Sequence, residues 1–461
     1  MKSVINRRDL LRNAAIGGAG LLILENSRSV QSYQANEKLD VALIGVGGRG
    51  RWFVGTMPKL GTNVVAMCDV NERKASLSFD EIPQAKKYFD YRRMLEEMDK
   101  QIDAVVIAVP DHSHAMASAT AIRMGKHVFC EKPLTRTLSE ARALRELAAK
   151  SKVATQMGNQ GTSSEAFRRA VELVQAGVIG EVRDVHAWNT GGGPGDRPIP
   201  TDEHELPDYL HWDLWLGPAE YRPYNSRWVS GWHGWRDFGT GNLGNWASHT
   251  MNLPFRALQL DTLWEPSNDS ADPVRLVPEV SGVHKHSLPK WEIIRYDFPA
   301  RGDMPPVRVN WYNGPGRAPG PRLMIEQLMG RKLDWGDAGE KKWRDHAGCL
   351  LIGTKGMLHS TGHNMSFSLL PEEKFKDFEG PPKSLPRTRG HEREWLQACK
   401  GGPQAMSSFD YAGRLAEFVL LGNVSTLVGE PIEFDPVAMK IRNGAEADLA
   451  LRHTYRQGWS L

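Results

Sequence analysis

Residues 39–50 read LDVALIGVGGRG, an apolar run that breaks into the turn Gly45-Val46-Gly47-Gly48-Arg49-Gly50 with the spacing G-x-G-x-x-G. An unbroken Val, Ile and Leu run is how a strand buried on both faces reads, and a glycine-rich turn at its end lets backbone approach a pyrophosphate. Gly45 then permits the tight turn, Gly47 the approach of the phosphates and Gly50 the packing of helix on strand; Gly48 and Arg49 complete the loop. The spacing alone is weak evidence, and the residues that follow strengthen it. NVVAMCD (63–69), DAVVIAVP (103–110), HVFCEKP (127–133) and VATQMG (153–158) repeat the short apolar pattern. Between them SHAMASATAIRMG (113–125) and LSEARALRELAAK (138–150) have helical spacing. This alternation predicts an α/β, doubly wound parallel sheet over residues 36–160. Asp69 ends the second strand, where a carboxylate can accept hydrogen bonds from the adenosine ribose and would repel a 2′-phosphate. NAD is therefore the expected cofactor, with Arg73 leaving NADP open.

From residue 161 the character changes. EVRDVHAWN (181–189), WEIIRYDF (291–298), VRVNWYN (307–313) and IGTKGMLHS (352–360) read as strands separated by turns, and HEREWLQACKGG and YAGRLAEFVLLGNVSTLVG read as helices. A second α/β domain over 161–461 with a mostly antiparallel sheet is expected, its closing helices packing back on the first. Segments 265–285 and 313–345 read as surface insertions. The chain of 461 residues carries a formal charge of +3, all of it in residues 1–34; the remainder has 53 basic and 53 acidic residues. A neutral body has no polyanion-binding bias, so nucleic acid is not an expected partner. Four cysteines without a CxxC pair give no disulfide or metal framework.

Polar groups cluster at two strand ends, where an open α/β sheet binds ligands. In AVPDHSHA (108–115), Pro110 stops a strand and Asp111, His112, Ser113 and His114 begin a helix; Pro110, Asp111 and His114 are assigned to the cofactor site. Asp111 or Ser113 could equally serve as a helix cap. No third ligand accompanies His112 and His114, so no metal is expected. In Cys130-Glu131-Lys132-Pro133, Glu131 and Lys132 also border the cofactor. A lysine at the end of a buried strand is partly desolvated, which disfavours its ammonium and suits proton exchange near neutral pH.

The loop, Asp69, VPDHSHA and EKP together resemble the Gfo/Idh/MocA oxidoreductases, and the resemblance extends through WLGPAEYRPYN, WRDFGTGNLGNWASHTMNLPFRAL and IGTKGML. It implies a Rossmann domain followed by an α/β domain with a large open sheet that often serves in oligomerisation, so a homo-oligomer is expected. It also implies that Lys132 sits by the nicotinamide and the substrate hydroxyl, and that Asn245 and His249 fall where a D-x-x-x-H helix supplies the other acid/base group. Asparagine cannot hold a negative charge, so His249 is expected to be less basic than in relatives. Regular helical spacing would put Asn245 and His249 on one face. Seven of the fifteen tryptophans fall between Trp188 and Trp246. One or two are expected to face a sugar, with Trp235 and Arg236 assigned to substrate and His233, Asp237 and Tyr224 as further hydroxyl binders. The resemblance implies oxidation or reduction of a secondary hydroxyl of a sugar, glycoside or cyclitol. The alternatives are a redox-neutral glycoside hydrolase or lyase working through a 3-keto sugar, and a nucleotide-binding sensor without chemistry.

NRRDLLRNAAIGGAGLLIL (6–24) resembles a twin-arginine signal, with Asn6 where Ser or Thr is commoner. Its apolar run is too short to span a bilayer. Residues 1–35 are thus expected to direct export of a folded protein to the periplasm, with processing near Ala35 and no membrane span afterwards. A cofactor taken across already bound would meet no NAD pool outside, which favours tight retention.

Overall fold

The computed structural model describes residues 38–191, 193, 195–267, 272–314, 321–333 and 345–461; the twin-arginine-like segment lies outside them. The first sheet holds six strands: β1 (Asp40–Ile44), β2 (Asn63–Cys68), β3 (Lys86–Tyr88), β4 (Ala104–Ile107), β5 (His127–Cys130) and β6 (Thr155–Met157). All pair in parallel in the order β3-β2-β1-β4-β5-β6. The order reverses between β1 and β4, so the chain leaves their carboxyl ends in opposite directions and opens a crevice there. Leu43 pairs with Met67 on one side and Val106 on the other, all three buried. The helix Leu138–Lys150 starts from a capping box in which Thr137 and Glu140 satisfy each other's backbone N–H.

The second sheet has nine strands: β7 (Val182–Asn189), β8 (Val274–Val280), β9 (Glu292–Phe298), β10 (Val307–Asn313), β11 (Ala347–Gly353), β12 (Met357–Thr361), β13 (Phe367–Leu370), β14 (Ile432–Asp435) and β15 (Lys440–Ile441). Their order is β13-β12-β11-β7-β10-β9-β8-β14-β15, antiparallel throughout except for β7 beside β10. Three expectations need correction. Segment 265–285 is not a surface insertion in its second half, because β8 lies inside the sheet with Val274 and Leu276 buried. IGTKGMLHS is not one strand: a turn at Gly353–Gly356 folds it between β11 and β12. Within 313–345, Pro321–Met329 is a helix that buries Ile325 and Met329 beside Trp188 and Leu350.

Two late helices return to the first sheet. His391–Cys399 sets Trp395 edge-on to Phe129 of β5 at 5.6 Å between ring centres. Phe409–Val428, largely buried along its 20 residues, packs between the sheets. Its Glu417 is fully buried, yet Arg142 donates to both carboxylate oxygens (2.8 and 2.7 Å) and Trp264 Nε1 adds a third bond at 2.8 Å. A buried carboxylate is tolerable only when paired and hydrogen-bonded in this way. Among the described residues the four cysteines are unpaired, no helix is long and apolar enough to cross a membrane, and no cluster of metal-ligating side chains forms.

Candidate active site

The glycine loop follows β1 directly. An added Cβ at Gly50 would lie 1.8 Å from the Gly45 carbonyl oxygen, and one at Gly45, which has φ +80°, would lie 2.4 Å from the Ala108 oxygen. These two glycines are therefore required by the approach of backbone to backbone. Gly47, Gly48 and Arg49 line a cavity of about 430 Å³ with Asp69, Val109 and Pro110. That is within the size range of cofactor sites. Asp69 has a task besides any ribose: its Oδ2 accepts from Val46 N (2.9 Å) and Gly47 N (3.0 Å), and its Oδ1 from Asn71 N (2.9 Å). Burial raises its pKa while those three N–H groups oppose the rise. The carboxylate pins the loop to the end of β2 and keeps acceptor capacity toward the cavity. Loop, carboxylate and cavity fit the adenosine diphosphate part of a dinucleotide.

Arg49 joins this region to the next. Its Nε donates to Glu131 Oε1 at 2.7 Å, and Glu131 is buried at the end of β5 beside Lys132. Lys132 Nζ donates to Asn245 Oδ1. Burial lowers the Lys132 pKa, Glu131 and Asp111 oppose this, and Arg49 adds to it. The backbone carrying Asn245 is not regular α-helix, however. Leu243–Ala247 winds as a π-helix, and Ser248–Thr250 continues as α-helix. Such wide turns recur at functional sites because they redirect one side chain.

His249 is buried, with Nδ1 lacking a hydrogen-bond partner. Burial, then the charges of Lys132, His363 and Arg49, hold its pKa well below the usual imidazole value. The expectation of a weakly basic His249 therefore agrees with its burial beside Lys132, His363 and Arg49. His363 lies 4.5 Å from it between ring centres, and Trp246 meets His346 edge-on at 4.8 Å. His363 escaped the sequence reading because it sits in the turn between β12 and β13. The neighbouring Asn364, at φ +55° and buried, donates to the His249 carbonyl at 2.5 Å and so brings the turn to the site. An asparagine in a tight turn was the only local signal. His233 also reaches this region: its pKa falls through burial, with Asp111 and Lys132 acting on it.

Other assigned residues lie elsewhere. Asp111 neither caps its helix nor lines the cavity; it is buried and accepts from Thr240 N (3.0 Å) and Thr240 Oγ1 (2.5 Å). His114 is buried with its ring nitrogens 2.7 Å from the Pro133 oxygen and 2.9 Å from the Val109 oxygen, bracing the two strand ends from behind. Trp235 is buried in an aromatic cluster and donates to the Arg227 oxygen at 3.0 Å. Arg236 spends its guanidinium on the oxygens of His284, Ser287, Asn423 and Thr426. Buried Trp235 and half-buried Arg236 thus both spend their polar groups on hydrogen bonds within the protein. Asp237 pairs with Arg222 at 2.6 Å, and Tyr224 packs edge-on against Trp212. Trp215 and Trp232 do face a cavity, but it is the dinucleotide cavity.

Residues 39–159 match the family model described as oxidoreductase family, NAD-binding Rossmann fold, and residues 197–302 match the C-terminal α/β domain of the same family. Inositol 2-dehydrogenase of Salmonella typhimurium is 30% identical over 162 residues, which is 33% of this chain and 47% of that protein. Glycosyl hydrolase family 109 protein 1 of Akkermansia muciniphila is 27% identical over 156 residues, 32% of each chain. The chain thus spans about half the length of the first of these relatives. Levoglucosan dehydrogenase in complex with NADH has a similar fold, with a TM-score of 0.56 at 15% identity, covering 86% of this chain and 99% of that one. An aldose-aldose oxidoreductase from Caulobacter crescentus gives a TM-score of 0.54 at 14% identity, covering 86% and 100%. With both of its domains matched and the glycine loop, Asp69 and Lys132 in their expected places, the chain belongs to the Gfo/Idh/MocA family of oxidoreductases.

Proposed function

We propose that the protein is an NAD-dependent oxidoreductase acting on a secondary hydroxyl of a sugar, glycoside or cyclitol. The observation that carries this reading is Lys132, a lysine of lowered pKa held on Asn245 between the dinucleotide loop and the imidazoles of His249 and His363. When bound, NAD supplies the two-electron acceptor for the carbinol carbon. Lys132 Nζ takes the hydroxyl proton, and its lowered pKa enlarges the fraction of neutral amine able to do so. Asn245 fixes the direction of that amine without exchanging a proton. His249, neutral at ordinary pH, hydrogen-bonds the substrate oxygen rather than storing charge. The reading is tested by following nicotinamide absorbance with a panel of sugars and cyclitols. Lys132→Ala should lower kcat by about 10²–10⁴; loss of less than about tenfold would remove Lys132 from the chemistry.

The family 109 glycosyl hydrolase relative favours a second reading, redox-neutral cleavage of a glycoside. Release of aglycone with sub-stoichiometric nucleotide and no net change in nicotinamide absorbance would select it. Residues 6–24 support export of the folded, cofactor-loaded protein to the periplasm; replacing Arg7 and Arg8 by Lys should abolish export. In β9, buried Glu292, Ile294, Tyr296 and Phe298 alternate with half-buried Ile293, Arg295 and Asp297. This incompletely covered face supports a homo-oligomer, measurable by sedimentation.

A further inference from the structure

The dinucleotide cavity has a wall that the glycine loop and the first sheet do not supply. Leu214, Trp215, Val229 and Trp232 face the loop and Asp69 across it. They belong to the tryptophan-rich segment 209–235, which is tied down at three places. At the end of β2, Glu72 N donates to the Tyr209 oxygen (2.9 Å) and His211 N to the Val70 oxygen (3.0 Å). The His211 ring stacks on Phe89 at 4.5 Å with its Nε2 3.0 Å from Glu72 Oε1. After β4, His112 Nε2 lies 2.8 Å from the Trp215 oxygen and Nδ1 3.3 Å from the Phe238 oxygen. Burial lowers the His112 pKa to about 4, so the ring is neutral, and the shorter contact identifies Nε2–H as the donor. The third tie is Arg456, which donates to Asp213 Oδ1 (2.6 Å), the Asp213 oxygen (2.7 Å) and the Gly217 oxygen (2.6 Å). Nearby, Arg92 of the first domain lies over the Trp459 ring at 4.5 Å.

We infer that residues 209–235 are a clasp that closes over the adenosine half of the dinucleotide and makes it a resident group. The inference rests on the dinucleotide reading above and goes beyond it by assigning retention to named ties. Tyr209 and Leu210 of the segment pair with Glu72 and Asn71 just after Asp69, whereas Lys132, Asn245 and His249 are not among the residues lining the cavity. The clasp therefore covers the part of the nucleotide that does no chemistry. Lifting the segment to widen the exit for nucleotide breaks the His211 and Arg456 ties together, a local opening with its own free energy.

The test uses the full-length holoprotein, passed into nucleotide-free buffer and challenged with excess radiolabelled NAD. Exchange is followed by retained label, and energy transfer from tryptophan to reduced nicotinamide reports seating independently of turnover. Wild type should hold its nucleotide for hours. Arg456→Ala and His211→Ala should each exchange about tenfold faster, the loss of roughly one strong hydrogen-bonded tie. Tyr221→Ala, at a residue of the same segment that is 65% exposed, should exchange like wild type. These ties carry the test instead of Trp215, whose removal would open the buried aromatic cluster. Full NAD binding with exchange in seconds, or variants that exchange at the wild-type rate, would overturn the clasp and leave the dinucleotide reading intact. No binding at saturating NAD would overturn both.

Discussion

The dinucleotide loop and the Lys132 cluster are joined by one ion pair, Arg49 with Glu131, yet they are assembled in opposite ways. The loop is local: strand, turn and Asp69 come from 30 consecutive residues of one parallel unit, and backbone contacts at Gly45 and Gly50 set its shape. The cluster gathers Lys132 from a strand end, Asn245 and His249 from a π-distorted helix and His363 from a hairpin turn of the other sheet. The local motif tolerates no added atom at Gly45 or Gly50 but depends on few partners. A gathered cluster tolerates substitution sterically, while its chemistry depends on every element that delivers a side chain.

The largest effect should come from breaking the local side. Gly50→Val places carbon against the Gly45 carbonyl and should abolish nucleotide binding by titration, with a stability loss of about 4 kcal/mol in a denaturant melt. Lys132→Ala, already the test of the chemistry, sharpens the contrast if nucleotide affinity stays within about threefold of wild type while kcat collapses. A middle effect is expected for Asn245→Asp. Lys132 titrates below its ordinary value of 10.5, so a rate carried by the neutral amine rises with pH through that lowered pKa. A carboxylate beside the ammonium favours the charged form and should move this limb up by about one pH unit or more. A pH profile that stays in place would separate Lys132 from the titrating base. The smallest effect belongs to His363→Ala, which removes one hydrogen-bonding ring and should raise KM about fivefold with little change in melting temperature.

The difference in construction also explains what could be read from the sequence. LDVALIGVGGRG and Asp69 were legible because strand period, glycine sterics and ribose recognition act within a short window. Lys132 was legible for the same reason, as a strand end. Asn245 and His249 were reached through family resemblance, and a regular helix was assumed where the backbone takes a wide π turn. The internal partners of Trp235 and Arg236 were not legible, because aromatic and cationic residue types suit a sugar pocket and an internally hydrogen-bonded cluster equally well; only three-dimensional neighbours separate the two. β8 was missed because its pattern, VRLVPEV, carries a proline and a glutamate that a strand away from the sheet edge usually lacks.

The helix Phe409–Val428 has a consequence for dissecting this protein. It leaves the second sheet's territory, lies against Leu138–Lys150 and surrenders Glu417 to Arg142 and Trp264 in one bonded knot. The first domain is thus completed by residues more than two hundred positions downstream. A fragment cut after β6 would bare the flank of helix Leu138–Lys150 and leave Arg142 without its carboxylate; one lacking only the late helices would strand the same apolar surface. Gene fusions, split reporters and domain swaps built on this scaffold must therefore carry the late helices with the nucleotide-binding half.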